Sequence, residues 1–489
     1  MQSSQRRLSG FVTLQSGPTQ LARFCYGQPT MQANRSTKGG NAREVIAVAL
    51  PMVVSLCCDT VLVFTGRWVV ARLGGSSMNA VFAGGLTAFA MQTFFVGLIG
   101  YSTALVGQQF GAGRSERCVM ATYQALIVAL LAWPLLLLLI PVGNAVFPRL
   151  GLPPSQMVEQ IRYFDLLMMG SVSGLLRGAF SGFFSGIGRT RVVMLASFVA
   201  MTSNLPLVWC FVLGRFGLPA MGVTGAAIGS MLASALGLSV LVVAFFSHQG
   251  AKRFGSIPRF RVERSLMAEL LAKGTPSGAE FFLNMLAFQA IVFLFQRQVE
   301  VSATAASIMF NWDMVSFVPL VGVEVGVTSL VGRYAAARNF AAVRRTLRSG
   351  LKLGWLFSSL VLVAFVAFPG ALVDVFAASS PSDTFVQARS LTINMIRIAA
   401  VYVTMEAVLL VFTGALRGVG DTLFAMLAST GLHWLTVLGL WWTLEVLGLS
   451  TLTGWTVLVA VFFFFPLAFG VRWSTGRWRR VKVAEKAVS

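Results

Sequence analysis

Apolar residues run through this chain in uninterrupted segments of roughly 20 or more, broken by Gly, Pro and clusters of charge rather than alternating with polar positions. A segment of that length without a polar face suits a helix crossing a hydrocarbon layer about 30 Å thick, where every backbone polar group must be satisfied within the segment. The breaks predict spans near 45–71, 79–105, 118–141, 160–183, 191–213 and 220–247. Six more follow near 267–296, 303–331, 350–368, 389–415, 422–446 and 452–471. The expected fold is an all-α integral membrane protein with twelve transmembrane helices.

The two sets of six resemble each other. Leu50-Pro51 is echoed by Thr275-Pro276 and Leu105-Val106-Gly107 by Leu330-Val331-Gly332, both at an offset of 225. GIGRTRVVMLAS at 186 to 197 returns as GVGDTLFAMLAS at 418 to 429, an offset of 232. An even number of spans per half makes both halves enter the membrane from one side. Two six-helix lobes related by a pseudo-two-fold axis along the membrane normal are therefore expected, enclosing a cavity between them, with rocking of one lobe against the other giving alternating access. The predicted organisation is a basic tail (1–43), an N lobe (44–247), a basic linker (248–265), a C lobe (266–471) and a second basic tail (472–489).

Composition agrees. The chain is 56% hydrophobic and 11% charged, with a mean hydropathy of +0.77, which excludes a water-soluble enzyme. The net charge of +21 invites a nucleic-acid reading, but most Lys and Arg fall in the tails and in alternate loops. The opposite loops carry only Arg149, Arg215, Arg297 and Arg389. That asymmetry sets orientation, with both termini cytoplasmic, and predicts lipid rather than nucleic acid as the partner. Arg417 is counted to the short cytoplasmic loop after the tenth span. The tail 1–43 lacks the apolar core of a secretory signal and reads as disordered. Its Ser/Arg-rich composition leaves a transit peptide as the lesser reading. Cys25, Cys57, Cys58, Cys118 and Cys210 form neither a CxxC pair nor an even framework, so packing thiols are expected rather than a metal site or disulfides. GVGDT and GIGRT lack the lysine of a phosphate-binding loop, so transport is expected to run on a gradient, without a cofactor.

Five segments in order, ALVGQQFGAGR (104–114), FVLGRFGLPAMGVTGAAIGS (211–230), GTPSGAEFFLNMLAF (274–288), SFVPLVGVEVGVTSLVGR (316–333) and FTGALRGVGDT (412–422), resemble the multidrug and toxic compound extrusion (MATE) family, nearest its NorM-like bacterial branch. The resemblance spans Glu44 to about Arg472. It implies a secondary antiporter of the bacterial inner membrane, expected to be a monomer, that exports cationic or amphipathic small molecules in exchange for H⁺ or Na⁺. A flippase for a lipid-linked precursor is the alternative, which calls for a basic rather than an acidic cavity.

Ionisable residues inside a membrane cost about 2.5–3.5 kcal/mol at mid-helix, so each needs a partner, a cavity or a function. Glu406 lies near the midplane of the tenth span with Tyr402 one turn before it on the same face. A proton and a cation compete for one such carboxylate. In the family pattern the pair matches a Tyr and an Asp four apart, which makes Tyr402 and Glu406 the expected cation-coupling site. The family's seventh-helix Glu is replaced here by Asn284, which offers a carbonyl oxygen but holds no proton. Glu280, one turn earlier, is either its substitute or a charge at the helix start. In the N lobe the family's Asp and its Asn/Asp pair are answered by Gly66, Asn204 and Val208, which argues against a protonation site there. A lone buried Glu suits H⁺ slightly better than Na⁺, and no metal beyond a Na⁺ at Glu406 is expected. Asp59 is either a counterpart of Asn284 or the partner of Arg67 or another buried cation. Asp313 and Glu324 are candidate cavity acids, with Arg177 available to neutralise one of them. Phe288 and Trp312 are candidate cavity aromatics for a cationic ligand. His433 reads as packed, with a proton relay as the lesser alternative.

Overall fold

The computed structural model describes residues 39–150, 154–215, 217, 219–247, 260–377 and 383–481. Most of the first tail, the linker up to residue 259 with His248, and the end of the second tail lie outside them, as does Cys25. Twelve helices are long and apolar enough to cross a membrane. They are α1 (Ala42–Leu73), α2 (Ser76–Gly111), α3 (Ser115–Ala145), α4 (Gln156–Gly186), α5 (Thr190–Leu213) and α6 (Gly222–Phe246), then α7 (Arg264–Gln296), α8 (Glu300–Ala336), α9 (Phe340–Ala367), α10 (Asp383–Val419), α11 (Thr422–Val446) and α12 (Thr451–Ser474). Every predicted span is present.

Local chemistry starts and ends these helices. The Asn41 side chain accepts a hydrogen bond from the Glu44 amide at 2.9 Å and caps α1. Asn339 caps α9 in the same way through Ala342. The helix α9 begins ten residues before its predicted start, because Arg344 and Arg348 stand exposed on its outer face and do not interrupt the backbone. Outward-facing residues such as Phe64, Leu131, Val243, Leu356 and Leu360 are large, apolar and exposed, as a surface in contact with lipid tails requires.

The packing repeats as the sequence does. Helices α1, α5 and α2, α4 pair in the N lobe as α7, α11 and α8, α10 pair in the C lobe. Each lobe has its own apolar core. Even the turns correspond: Gly113 after α2 has φ 78°, and its image 225 residues on, Arg338 after α8, has φ 55°. Gly188 and its image Gly420 have φ 76° and 85°.

The lobes meet through α1 on α8 and α2 on α7. A Cβ on Gly97 would stand 2.8 Å from the Gly278 Cα, and the repeat image of that contact is Gly322, whose Cβ would stand 2.7 Å from the Val53 Cα. Glycine is required because backbone meets backbone there. Hydrogen bonds tie the same end together: Tyr334 Oη to Glu44 at 2.7 Å, Gln108 Nε2 to the Gly418 carbonyl at 2.8 Å, and Ser329 Oγ to the Ser185 carbonyl. All belong to the ends where α1 and α7 begin and α2, α4, α8 and α10 finish.

A two-tiered cavity in the C lobe

A cavity of about 330 Å³ is bounded by α7, α8, α10, α11 and α12, with Gly97 of the N lobe at its edge. This cavity lies within the C lobe, beside the space between the lobes where the repeat places one. At the lobe interface Gly97 and Gly322 bring backbone onto backbone.

At one end of the cavity Glu406 is 4% exposed and Tyr402 6% exposed. The Tyr402 hydroxyl donates to Glu406 Oε1 at 2.8 Å, while its ring packs edge-on against Phe462 with centroids 4.5 Å apart. Asp313 of α8 lines the same cavity and interacts electrostatically with Tyr402 and Glu406. One O–H can donate to only one of two carboxylates at a time. Glu406 Oε2 is buried with no protein partner. Two carboxylates in a low-dielectric site repel each other, and a proton or a cation between them relieves that repulsion.

At the other end, Arg417 of α10 joins Glu324 of α8 at 2.5 Å and Glu280 of α7 at 3.3 Å. Glu280 is buried, so of its two sequence readings the helix-start charge is set aside. Arg417 is the residue that sequence reasoning misplaced. The span boundary at 415 puts it in a cytoplasmic loop, but α10 runs on to Val419 and holds it against Glu280 and Glu324. The available signal was its spacing: Arg417 follows Glu406 by eleven residues, close to three whole turns, and so shares its face.

Asn284 lines the cavity, its Nδ2 donating to Ser429 Oγ at 2.8 Å and its Oδ1 buried without a partner. Phe288 also lines it, packed edge-on against Phe310. Trp312 does not. One residue along a helix turns a side chain by about 100°, and the indole next to Asp313 points elsewhere, donating to the Leu372 carbonyl at 3.1 Å and meeting Phe376. Asp59 is in the N lobe, away from this cavity, 2.9 Å from Arg177. Arg177 is thus spent on Asp59 rather than on Asp313 or Glu324, and Arg67 instead stands over the Phe82 ring. His433 is packed between Phe462 and Phe465, its Nδ1 2.8 Å from the Ser429 carbonyl. In the N lobe, Asn204 bridges Thr65 and Ser230, next to Gly66.

Comparison with known proteins agrees with this architecture. The MatE family model matches residues 51–210 and 276–443, one stretch in each lobe. The probable multidrug resistance protein NorM of Thermotoga maritima is 26% identical over 450 residues, covering 90% of this chain and 93% of that protein. Its namesake in Bradyrhizobium diazoefficiens is 26% identical over 404 residues, covering 82% and 86%. Among solved structures, a MOP superfamily transporter from Pyrococcus furiosus superimposes with a TM-score of 0.82 at 17% identity, covering 92% of this chain and 99% of that one. An outward-facing multidrug resistance MATE family transporter gives 0.81 at 17% identity, with the same coverage. With the family model covering both lobes, the chain belongs to the MatE family, whose members are transporters and not enzymes.

Proposed function

We propose that this protein is a secondary antiporter that exports cationic or amphipathic small molecules, with Glu406, Asp313 and Tyr402 as the group that exchanges a coupling ion for substrate. The observation that carries the reading is Glu406 Oε2, a buried carboxylate oxygen on the cavity wall without a protein partner. A group so placed is costly unless a proton or a cation joins it in some state of the cycle. The names of the NorM relatives support drugs as the cargo. The excess of acids over bases on the cavity wall supports a cationic cargo over the pyrophosphate of a lipid-linked precursor.

H⁺ is the favoured coupling ion over Na⁺. A buried carboxylate beside a second one takes up an added proton with no further ligand, while a hard cation needs several more oxygens, of which Asn284 supplies one candidate. The lobe contacts lie at the end bearing the basic loops. With that end cytoplasmic and both termini inside, the conformation is closed to the cytoplasm, and substrate leaves by the opposite face.

The test is efflux of a fluorescent lipophilic cation from proteoliposomes under an imposed pH gradient or an imposed Na⁺ gradient, wild type against Glu406→Gln. Gradient-driven efflux that the variant loses supports the reading. A variant that couples normally removes Glu406 from the mechanism, and a wild type that moves no cation under either gradient makes lipid translocation the better account.

A further inference from the structure

The cavity has two charged tiers on the same pair of helices. Asp313 and Glu324 on α8 are eleven residues apart, as are Glu406 and Arg417 on α10, so both pairs are separated by three turns and about 16 Å along one face. All four line the cavity. Between the tiers the α8 and α10 wall is mainly apolar, formed by Phe317 and Val321 of α8 and Leu409 and Leu410 of α10, with Thr413 of α10 a polar exception. The upper tier has two carboxylates, one with an unpartnered oxygen. The lower tier sets Glu280 and Glu324 against the single guanidinium of Arg417, which leaves one carboxylate charge in excess. Acidic ends separated by a greasy waist are the complement of a molecule with two cationic heads on an apolar spacer.

We propose that the preferred ligands of this cavity are bolaform dications, one head at Asp313 and Glu406 and the other displacing part of the Arg417 interaction with Glu280 and Glu324. The inference rests on the proposed cationic cargo and narrows it. A monocation satisfies one tier only. A dication of matching length satisfies both, the second contact being intramolecular once the first is made.

Titration calorimetry on the purified full-length protein with bis(trimethylammonium)alkanes of graded spacer, from hexamethonium through decamethonium to longer members, reads this without transport. Affinity is expected to peak near decamethonium, roughly tenfold or more above hexamethonium. Glu324→Gln leaves a neutral Arg417–Glu280 pair below and flattens the ratio of the two affinities. A wild-type profile that is flat or rises steadily with added methylenes overturns the proposal, whatever the variant does. If calorimetry shows the peak while no gradient drives efflux, the antiport reading fails and this one stands. Gradient-driven efflux with a flat profile sinks this one alone.

Discussion

At the residue scale, the Tyr402 hydroxyl donates to Glu406 at 2.8 Å and can serve one acid at a time. Tyr402 and Glu406 were legible because a spacing of four puts them on one face. Asp313 was visible as a buried acid, yet its meeting with Tyr402 depends on how α8 packs against α10. Tyr402→Phe keeps the packing on Phe462 and removes the hydroxyl that donates to Glu406. A hydrogen bond to a charged group contributes about 1.5–3 kcal/mol, so gradient-driven efflux is expected to fall roughly 10- to 100-fold while thermal stability changes little. An unchanged rate and pH profile sets the hydroxyl aside. Arg417→Met does the reverse. It strands Glu280 and Glu324 as buried unpaired carboxylates, a change that costs about 3–5 kcal/mol when one partner of a buried pair is removed. The expected result is a large drop in melting temperature in detergent, largely recovered by adding Glu280→Gln and Glu324→Gln. A single variant that melts like wild type shows that the lower tier is open to water.

At the element scale, helix number and order followed from hydrophobic length, while helix ends did not. The exposed arginines at the start of α9 looked like a loop because charge marks the end of a span, though it does not end a helix. The same confusion hid Arg417. The lobe interface was legible only as the repeat of Pro51 in Pro276 and their neighbours. Its glycines are explained by close approach, since Gly97 and Gly322 would each drive a Cβ to within 2.8 Å of facing backbone. Alanine at either site overpacks a rigid contact, at a cost of about 1–3 kcal/mol, and the two are expected to cost alike because the contacts are images under the repeat. Gly100→Ala, where a Cβ meets nothing within 4 Å, is the comparison and should stay within about 0.5 kcal/mol of wild type. Thermal unfolding of the three variants in one detergent checks this. A Gly322→Ala protein as stable as Gly100→Ala shows that the α1–α8 contact yields easily.

At the scale of the whole molecule, the two-lobe arrangement is legible in the repeat, while the C-lobe cavity, made where α7, α8, α10, α11 and α12 pack, is not. If substrate and ion exchange inside the C lobe, the N lobe acts as the surface against which that lobe closes, and the contacts at the basic end hold the closed arrangement. Glu44 of α1 accepts from Tyr334 of α8 across this seam. The two residues are 290 positions apart in the chain and belong to different lobes. Rocking requires them to separate. Cysteines placed at Glu44 and Tyr334, in a background where Cys25, Cys57, Cys58, Cys118 and Cys210 are replaced, can be joined by a short reducible bifunctional linker. The cross-linked protein in proteoliposomes is expected to lose efflux, and reduction should restore it to the rate of the unlinked double variant. Ligand binding to the C-lobe cavity should survive cross-linking, because none of the cavity-lining helices is tied within its own lobe. Efflux at full rate with the linker in place would mean that transport proceeds by rearrangement inside the C lobe while the seam stays shut.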